Sequence, residues 1–565
     1  MTGTTTEKKT GPYSTHSVDN QPPPFEDVNL FATDAALRDA VNREGAGQAA
    51  RRINAFGLVA GSAEAFALGR LANAHPPVLE THDAQGRRRD EVLYHPAYHQ
   101  LMATSFSEEL NRSVWMHLSA PHAAPPAGVH VMRAAAFYMA AQMETGHCCP
   151  VTMTSAAVPS LMLEPRLAGI WLPKILSRTY DPQFGPIGEK ASATIGMGMT
   201  EKQGGTDVRA GTTVASPVDG GGPGGEYVLV GHKWFMSAPM SDAFLVLAQA
   251  PGGLTCFLLP RFLPDDTINA IRFQRLKSKL GNRSNASSEV EFWGAHAWAI
   301  GAEGQGVQAI IEMVTHTRLD CAVASSGLMR LSLAHAIHHA EHRMVFGKSL
   351  ISQPVMQQVL ADLALDVEAA TALSFRLARS FDRADDPSAA AWRRLMTPVT
   401  KYWTCKIAPG FVAEAMECLG GNGYVEESPL ARIYREVPVN SIWEGSGNVM
   451  ALDVLRVLQR EPDVAGQVVD ELADAAGEDA LLRAGVERLQ AILHEPRMLD
   501  FRARELVEGL ALVASATILR VHAPAAIADA FIATRLGGLS RQTYGVGLDR
   551  ADTRAILVRA SPNRQ

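Results

Sequence analysis

A carboxylate beside an indole opens the run Trp443-Glu444-Gly445-Ser446-Gly447-Asn448. The residues before it carry a glycine cluster, Gly420-Gly421-Asn422-Gly423, and the pair Arg435-Glu436. Apolar neighbours around Glu444 would raise its pKa toward neutrality, which suits a general base lifting a weakly acidic proton. A helix C-cap running into an exposed turn would give the same residues no chemistry. Residue types alone leave both readings open.

Three further stretches carry groups that could bind something. Gly196-Met-Gly-Met-Thr200-Glu-Lys-Gln-Gly-Gly-Thr206-Asp207-Val208 combines glycines, which let backbone approach a planar or phosphorylated ligand, with the hydroxyls of Thr200 and Thr206. It is not a GxGxxG fingerprint, and a flexible loop with helix-capping threonines explains it as well. In Gly231-His-Lys-Trp-Phe235-Met-Ser237 an aromatic and a hydroxyl stand two apart, on one face of an extended segment. They would line one side of a flat heteroaromatic ring, or serve ordinary hairpin packing. His335, His338, His339, Glu341 and His342 fall on one expected helix, and His338-x-x-Glu341-His342 has the order of an inverted zinc-protease motif. No third ligand offers itself. A solvated or subunit-facing helix accounts for them better, and no metal is expected.

The elements that must position these groups change texture along the chain. Residues 1–25 are rich in Thr, Ser and Pro and read as a flexible tail. Residues 26–180 are helical, broken by Pro76-Pro77 and by Pro125-Pro126. Short β-type runs then follow at close spacing: Tyr227–Val230, Phe244–Leu247, Thr255–Leu259 and Glu289–Phe292. They make a small β-domain or barrel over 181–296. Helical periodicity returns over 297–459, long enough for a four-helix bundle. Residues 460–565 are helical again but contain no lysine. The expected class is α+β: an N-terminal helical domain, a middle β-barrel, a C-terminal four-helix bundle and an extra C-terminal helical domain. A pocket between a β-domain and helices is a common ligand site.

Composition narrows the partners. The 565 residues suffice for several domains with a large core, and 47% hydrophobic content indicates a globular chain. A net charge of −7 argues against nucleic acid across the whole surface. From Arg497 onward, however, ten arginines stand against six acids. Guanidinium forks suit phosphates, although a lysine-poor composition gives the same count. Six cysteines without a CxxC point to a reducing cytoplasm, and the polar N-terminus is not a secretory signal. The longest apolar run, Gly509 to Leu519, is too short to span a bilayer, so no membrane is expected.

Taken in order, four motifs resemble those of the acyl-CoA dehydrogenase family. They are Met199-Thr200-Glu201…Gly205-Thr206-Asp207-Val208, Lys279-Leu-Gly281…Ser287-Ser288, Gly301-x-Glu-Gly304-x-Gly306 and the Gly420–Asn448 stretch. The similarity runs from Glu26 to Gln459. Within the family the chain is most similar to an adaptive-response branch with an extra C-terminal segment. The resemblance implies an FAD enzyme, assembled as a homotetramer that is a dimer of dimers and acting on an acyl-CoA substrate such as isovaleryl-CoA. It implies that Met199, Thr200, Thr206 and Ser237 contact the flavin and that Phe235 flanks its ring. Arg343, Phe346, Gly420 and Gly421 would reach a neighbouring subunit's FAD, and Trp443, Gly447 and Asn448 would close the pocket. Glu444 matches the family's catalytic base, and Arg318 and Ser287 fall on the substrate side. In the resembled branch dehydrogenase activity is weak, and double-stranded DNA binding is attributed to the C-terminal basic region. The departures are Phe235 where most members have tryptophan, Lys202-Gln203 for Pro-Gly, Pro354 and Glu417 for glutamines, and Thr315 for an acid.

Overall fold

The computed structural model describes residues 12–119, 127–383, 385–537, 548 and 551–563. They fall into two compact units, one of residues 64–324 with 442–449, the other of residues 1–63, 325–441 and 450–565.

The first unit holds a β-barrel. Ahead of it lies a hairpin of β1 (Val78–His82) and β2 (Arg88–Leu93), in a stretch whose sequence reads as helical. Its strands are charged and half-exposed, so no apolar period announces them. Only the turn does: Asp83 accepts from the backbone of Gln85 and Arg87, and Gly86 sits at φ +79. The barrel strands are β3 (Ile195–Gly198), β4 (Val214–Pro217), β5 (Glu226–Ser237), β6 (Ala243–Ala250), β7 (Gly253–Pro260), β8 (Ile271–Leu276) and β9 (Ser287–Ile300). They pair in the order β3-β6-β4-β5-β9-β7, with β8 on β9, and the β6–β7 ladder closes the path. Tyr227, Leu229, Met236, Phe244, Phe257, Phe273 and Phe292 fill the interior. β6 and β7 are buried along nearly their whole length and read as continuous apolar runs. Against their outer face packs a second apolar cluster, in which Cys149, Met153 and Ala156 of helix Cys148–Ala156 meet Leu245, Leu247, Leu258 and Met313.

Two buried ion pairs fix this unit internally. Glu201, at the root of the loop after β3, meets Lys233 of β5 at 2.8 Å, and both side chains are 1% exposed. Its carboxylate also accepts from Thr212 N, Thr213 N and the Thr213 hydroxyl. Burial alone would raise the Glu201 pKa, but the Lys233 ammonium and these donors hold it well below the usual carboxylate range. Farther along, Arg133 of helix Val129–Met143 makes a two-pronged contact with Asp320 at 2.7 and 2.8 Å, and Thr152 adds its hydroxyl to the same carboxylate. Asp320 lies on the long helix Gly306–His342, so its rotation at residues 317–320 is set from two sides.

The second unit is helical. Helices Pro354–Asp382 and Pro387–Glu417 each start with proline at the first turn, and Asp386 caps the second of them. Residues 460–565, which composition sets apart, belong to the same unit as the bundle helices. Arg535 is buried on Asp362 and Asp366 at 2.5 and 2.7 Å, and Arg559 bridges Glu368 and Asp39. Part of the segment expected as a flexible tail is docked in this unit: the Asn20 side chain bridges Met344 N and O at 2.7 and 2.9 Å. The histidine cluster does not converge on one point. His338 turns its ring nitrogens to Pro23 O and Asn563, while His342 Nδ1 faces the carbonyl of His338. Among the described residues no three side chains are grouped to hold a metal ion, and no single helix is long and apolar enough to cross a membrane.

Glu201→Gln would leave Lys233 buried without its counter-charge. Denaturant unfolding should show a loss of about 3–5 kcal/mol, largely recovered in Glu201→Gln/Lys233→Met. Because the Glu201 pKa is lowered on folding, its contribution is present above the ordinary carboxylate value near 4.5 and is lost as pH falls below it.

Candidate active site

Glu444 adopts φ +58, the left-handed region that a residue with a Cβ enters at a cost of about 1 kcal/mol. Two consecutive residues of helix Gly306–His342 hold it there. The Thr317 hydroxyl lies 2.8 Å from Glu444 Oε2, and Arg318 Nε donates to the Glu444 carbonyl at 3.0 Å. Both are buried, so the carboxylate and the main chain of one residue are fixed from a single helical turn.

Next to it, Trp443 packs on the apolar cluster that also receives Met197 and Met199 from β3 and its exit. The stretches near 200 and 444 therefore pack against one apolar cluster. The loop after Met199 is tied to the barrel by Trp234 N donating to Thr200 O at 2.8 Å. It folds back so tightly that a Cβ on Gly205 would stand 2.3 Å from the Thr200 hydroxyl, which only glycine permits. Along β5, Met236 turns into the barrel while Phe235 and Ser237 turn outward. Phe235 is 49% exposed, with Lys277 Nζ 4.6 Å from its ring centre. The Ser237 hydroxyl is 3.0 Å from that of Ser287 on β9, to which Lys279 donates at 3.1 Å. Burial pushes the Cys149 thiol up to about 12, Lys279 opposing and Glu444 adding to the rise, so this cysteine is a neutral wall of the site.

The other residues named from the sequence have these positions. Thr206 is exposed in the loop after β3, and Gly447 and Asn448, just after Glu444, open helix Gly447–Arg460. Arg343, Phe346, Gly420 and Gly421 belong to the second unit, where Arg343 donates to Asn20 O and the neighbouring Gln21 accepts from Asn422. Thr317, Lys277 and the Glu201–Lys233 pair are absent from the sequence-level site. Thr317 meets Glu444 across 127 positions, and no local spacing signals such a pair.

These groups are of the kinds that hold a flat heteroaromatic ring with a polar edge. Trp443 Nε1, a donor, and Asn285 Oδ1, an acceptor, are both buried with no hydrogen-bond partner. An exposed aromatic ring, Phe235, and the paired hydroxyls of Ser237 and Ser287 stand on the outer face of the barrel.

Comparison with known proteins decides what the group is. Residues 20–182 match the adaptive response protein AidB N-terminal domain, residues 196–294 the acyl-CoA dehydrogenase middle domain, and residues 304–459 the acyl-CoA dehydrogenase C-terminal domain. AidB of Escherichia coli (strain K12) is 47% identical over 97% of this chain and 99% of its own. This chain belongs to the acyl-CoA dehydrogenase family, in its AidB branch. Acyl-CoA dehydrogenase family member 11 of Caenorhabditis elegans is 31% identical over 82% of this chain and 77% of its own. The crystal structure of C. elegans ACDH-11 in complex with C11-CoA superposes with a TM-score of 0.82 at 29% identity, covering 94% of this chain and 92% of that one. The fold is that of the family, and the enzyme class is an FAD-dependent oxidoreductase. The residues present fit FAD: Met199, Thr200, Phe235 and Ser237 of the barrel, with Trp443, would hold its ring.

Phe235 lies outside the barrel core, so Phe235→Ala should leave the melting temperature of the FAD-free protein nearly unchanged. FAD affinity, measured by fluorescence titration, should fall about tenfold through loss of the aromatic contact.

Proposed function

We propose that this protein oxidises an acyl-CoA thioester between its α and β carbons, with Glu444 as the base that takes the α-proton. The observation that carries the reading is the fixed carboxylate of Glu444, held by Thr317 and Arg318 beside the apolar cluster shared by Trp443 and Met199. An α C–H bond is acidic only while the thioester carbonyl is polarised, so the base must wait in register rather than swing in from solvent. Bound FAD supplies the acceptor for the β-hydrogen and its electron pair. Arg318 fixes the main chain of the base by donating to its carbonyl. Lys279 pins the loop before β9 through Asn285 O and Ser287, which holds Ser287 toward the substrate side.

A short branched acyl group such as isovaleryl is the substrate proposed, and the C11-CoA bound by the C. elegans relative supports an acyl-CoA ligand in general. Assembly as a homotetramer is proposed on Phe346. This ring, at the tip of the hairpin of β10 (Met344–Val345) and β11 (Lys348–Ser349), is 94% exposed at φ +51. A large apolar residue so placed fits cover by a second copy.

The second reading, a flavoprotein that binds and protects duplex DNA through residues 460–565, has less support. Arg502 pairs with Glu495 and Glu505, Arg520 with Asp479 and Asp529, and Arg535 and Arg559 are engaged as described above. Guanidinium groups neutralised within the chain release fewer phosphate counterions. Arg541, Arg550 and Arg564 lie outside the described residues. Tight duplex binding that falls steeply with salt would reverse this preference.

Anaerobic addition of isovaleryl-CoA to the FAD-loaded protein should bleach the flavin absorbance, and Glu444→Gln should slow the bleaching roughly 10²–10⁴-fold. A bound flavin that no acyl-CoA reduces would remove the reading. Sedimentation should give a tetramer of the 60.7 kDa chain, and Phe346→Ala should shift it toward smaller species.

A further inference from the structure

We infer that Thr317 is a positioning residue that keeps the Glu444 carboxyl group in one place whether it is ionised or protonated. The inference rests on the proposed role of Glu444 as base and concerns how that base survives its own change of charge.

The Thr317 hydroxyl has two oxygens within reach, Glu444 Oε2 at 2.8 Å and Val314 O, one turn back on its helix, at 3.0 Å. A hydroxyl has one proton and two lone pairs, so it can donate to only one of them at a time. With Glu444 ionised, the proton goes to Oε2, in the shorter and charge-assisted bond. After the α C–H bond breaks and its proton reaches the carboxylate, Glu444 becomes a donor. With that proton on Oε2 and its O–H turned about the C–O bond, Glu444 donates to Thr317 Oγ1, which turns its own proton onto Val314 O. The heavy atoms need not move, because one bond reverses direction and a waiting acceptor takes the displaced proton.

That reversibility matters at this residue in particular. Glu444 sits at φ +58, so a side chain that let go on protonation would remove one of the contacts that hold this backbone, leaving that of Arg318 on its carbonyl. Arg318 carries a fixed charge and grips a carbonyl oxygen, so its hold does not change with the proton. Thr317 is 2% exposed, which shuts out a water that could replace it.

Two substitutions separate the hydroxyl from the shape of the side chain. Thr317→Val keeps the shape and removes both donor and acceptor, whereas Thr317→Ser keeps the hydroxyl. In the FAD-loaded enzyme Thr317→Val should lower kcat about tenfold with KM within about twofold, and Thr317→Ser should restore most of kcat. A second readout needs no turnover: the infrared carbonyl band of protonated Glu444, assigned by its absence in Glu444→Gln and recorded without acyl-CoA. It should move to higher wavenumber in Thr317→Val, where the carboxyl loses its acceptor. Unchanged kcat and an unmoved band, or a serine variant as slow as valine, would overturn the inference. Should the wild-type flavin fail to respond to any acyl-CoA, the proposed base role falls, and the band still decides whether Thr317 holds the carboxyl.

Discussion

A left-handed glutamate persists only if something holds it, and at Glu444 both ends are held from one turn of one helix. The rest of the first unit can be read as what places that turn. Arg133 and Thr152 converge on Asp320 and fix how helix Gly306–His342 is rotated at Thr317 and Arg318. The short segment Ile442–Val449, flanked in sequence by residues of the helical unit, clusters with residues 64–324. A small polar clamp thus ties this turn to helix Gly306–His342 within the first unit.

The opposite wall is positioned by a different kind of force. Apolar burial closes the barrel and lays its β6–β7 face against helix Cys148–Ala156, but burial is indifferent to where a loop points. Direction comes from the Glu201–Lys233 pair and from Trp234 N on Thr200 O, which bind the loop after β3 to the strand bearing Phe235 and Ser237. A buried pair of this sort adds little net stability over an apolar replacement. Its contribution is register: Met199 and Phe235 cannot drift apart while it stands.

The sequence shows those parts whose cause is local. The run Tyr227–Val230 signals a strand, and the alternation of Phe235 and Ser237 survives into the structure on one outward face. The join between these stretches into one strand, β5, is not visible, because register shifts after Leu229 and Lys233 break the alternation that would connect them. The hairpin Val78–Leu93 is hidden for a related reason, since Arg88-Arg89-Asp90-Glu91 has no apolar face of its own. Glu444 stands out by type and glycine context. Its partner Thr317 does not, for a threonine on a buried helix is ordinary until a residue far along the chain arrives beside it. The arginine excess after Arg497 is a count without geometry: the fold spends much of it on Asp362, Asp366, Glu368 and Asp39.

The account turns on one spatial relation, a flavin ring bound along the Met199–Phe235–Ser237 face with the carboxylate of Glu444 across from it. A crystal structure of the FAD-loaded protein with an acyl-CoA analogue that cannot be oxidised tests it most directly. The account predicts the α carbon between ring and carboxylate, within about 3.5 Å of a Glu444 oxygen, with φ of Glu444 still positive. A flavin seated away from β5, or an acyl chain that never approaches Glu444, would contradict it.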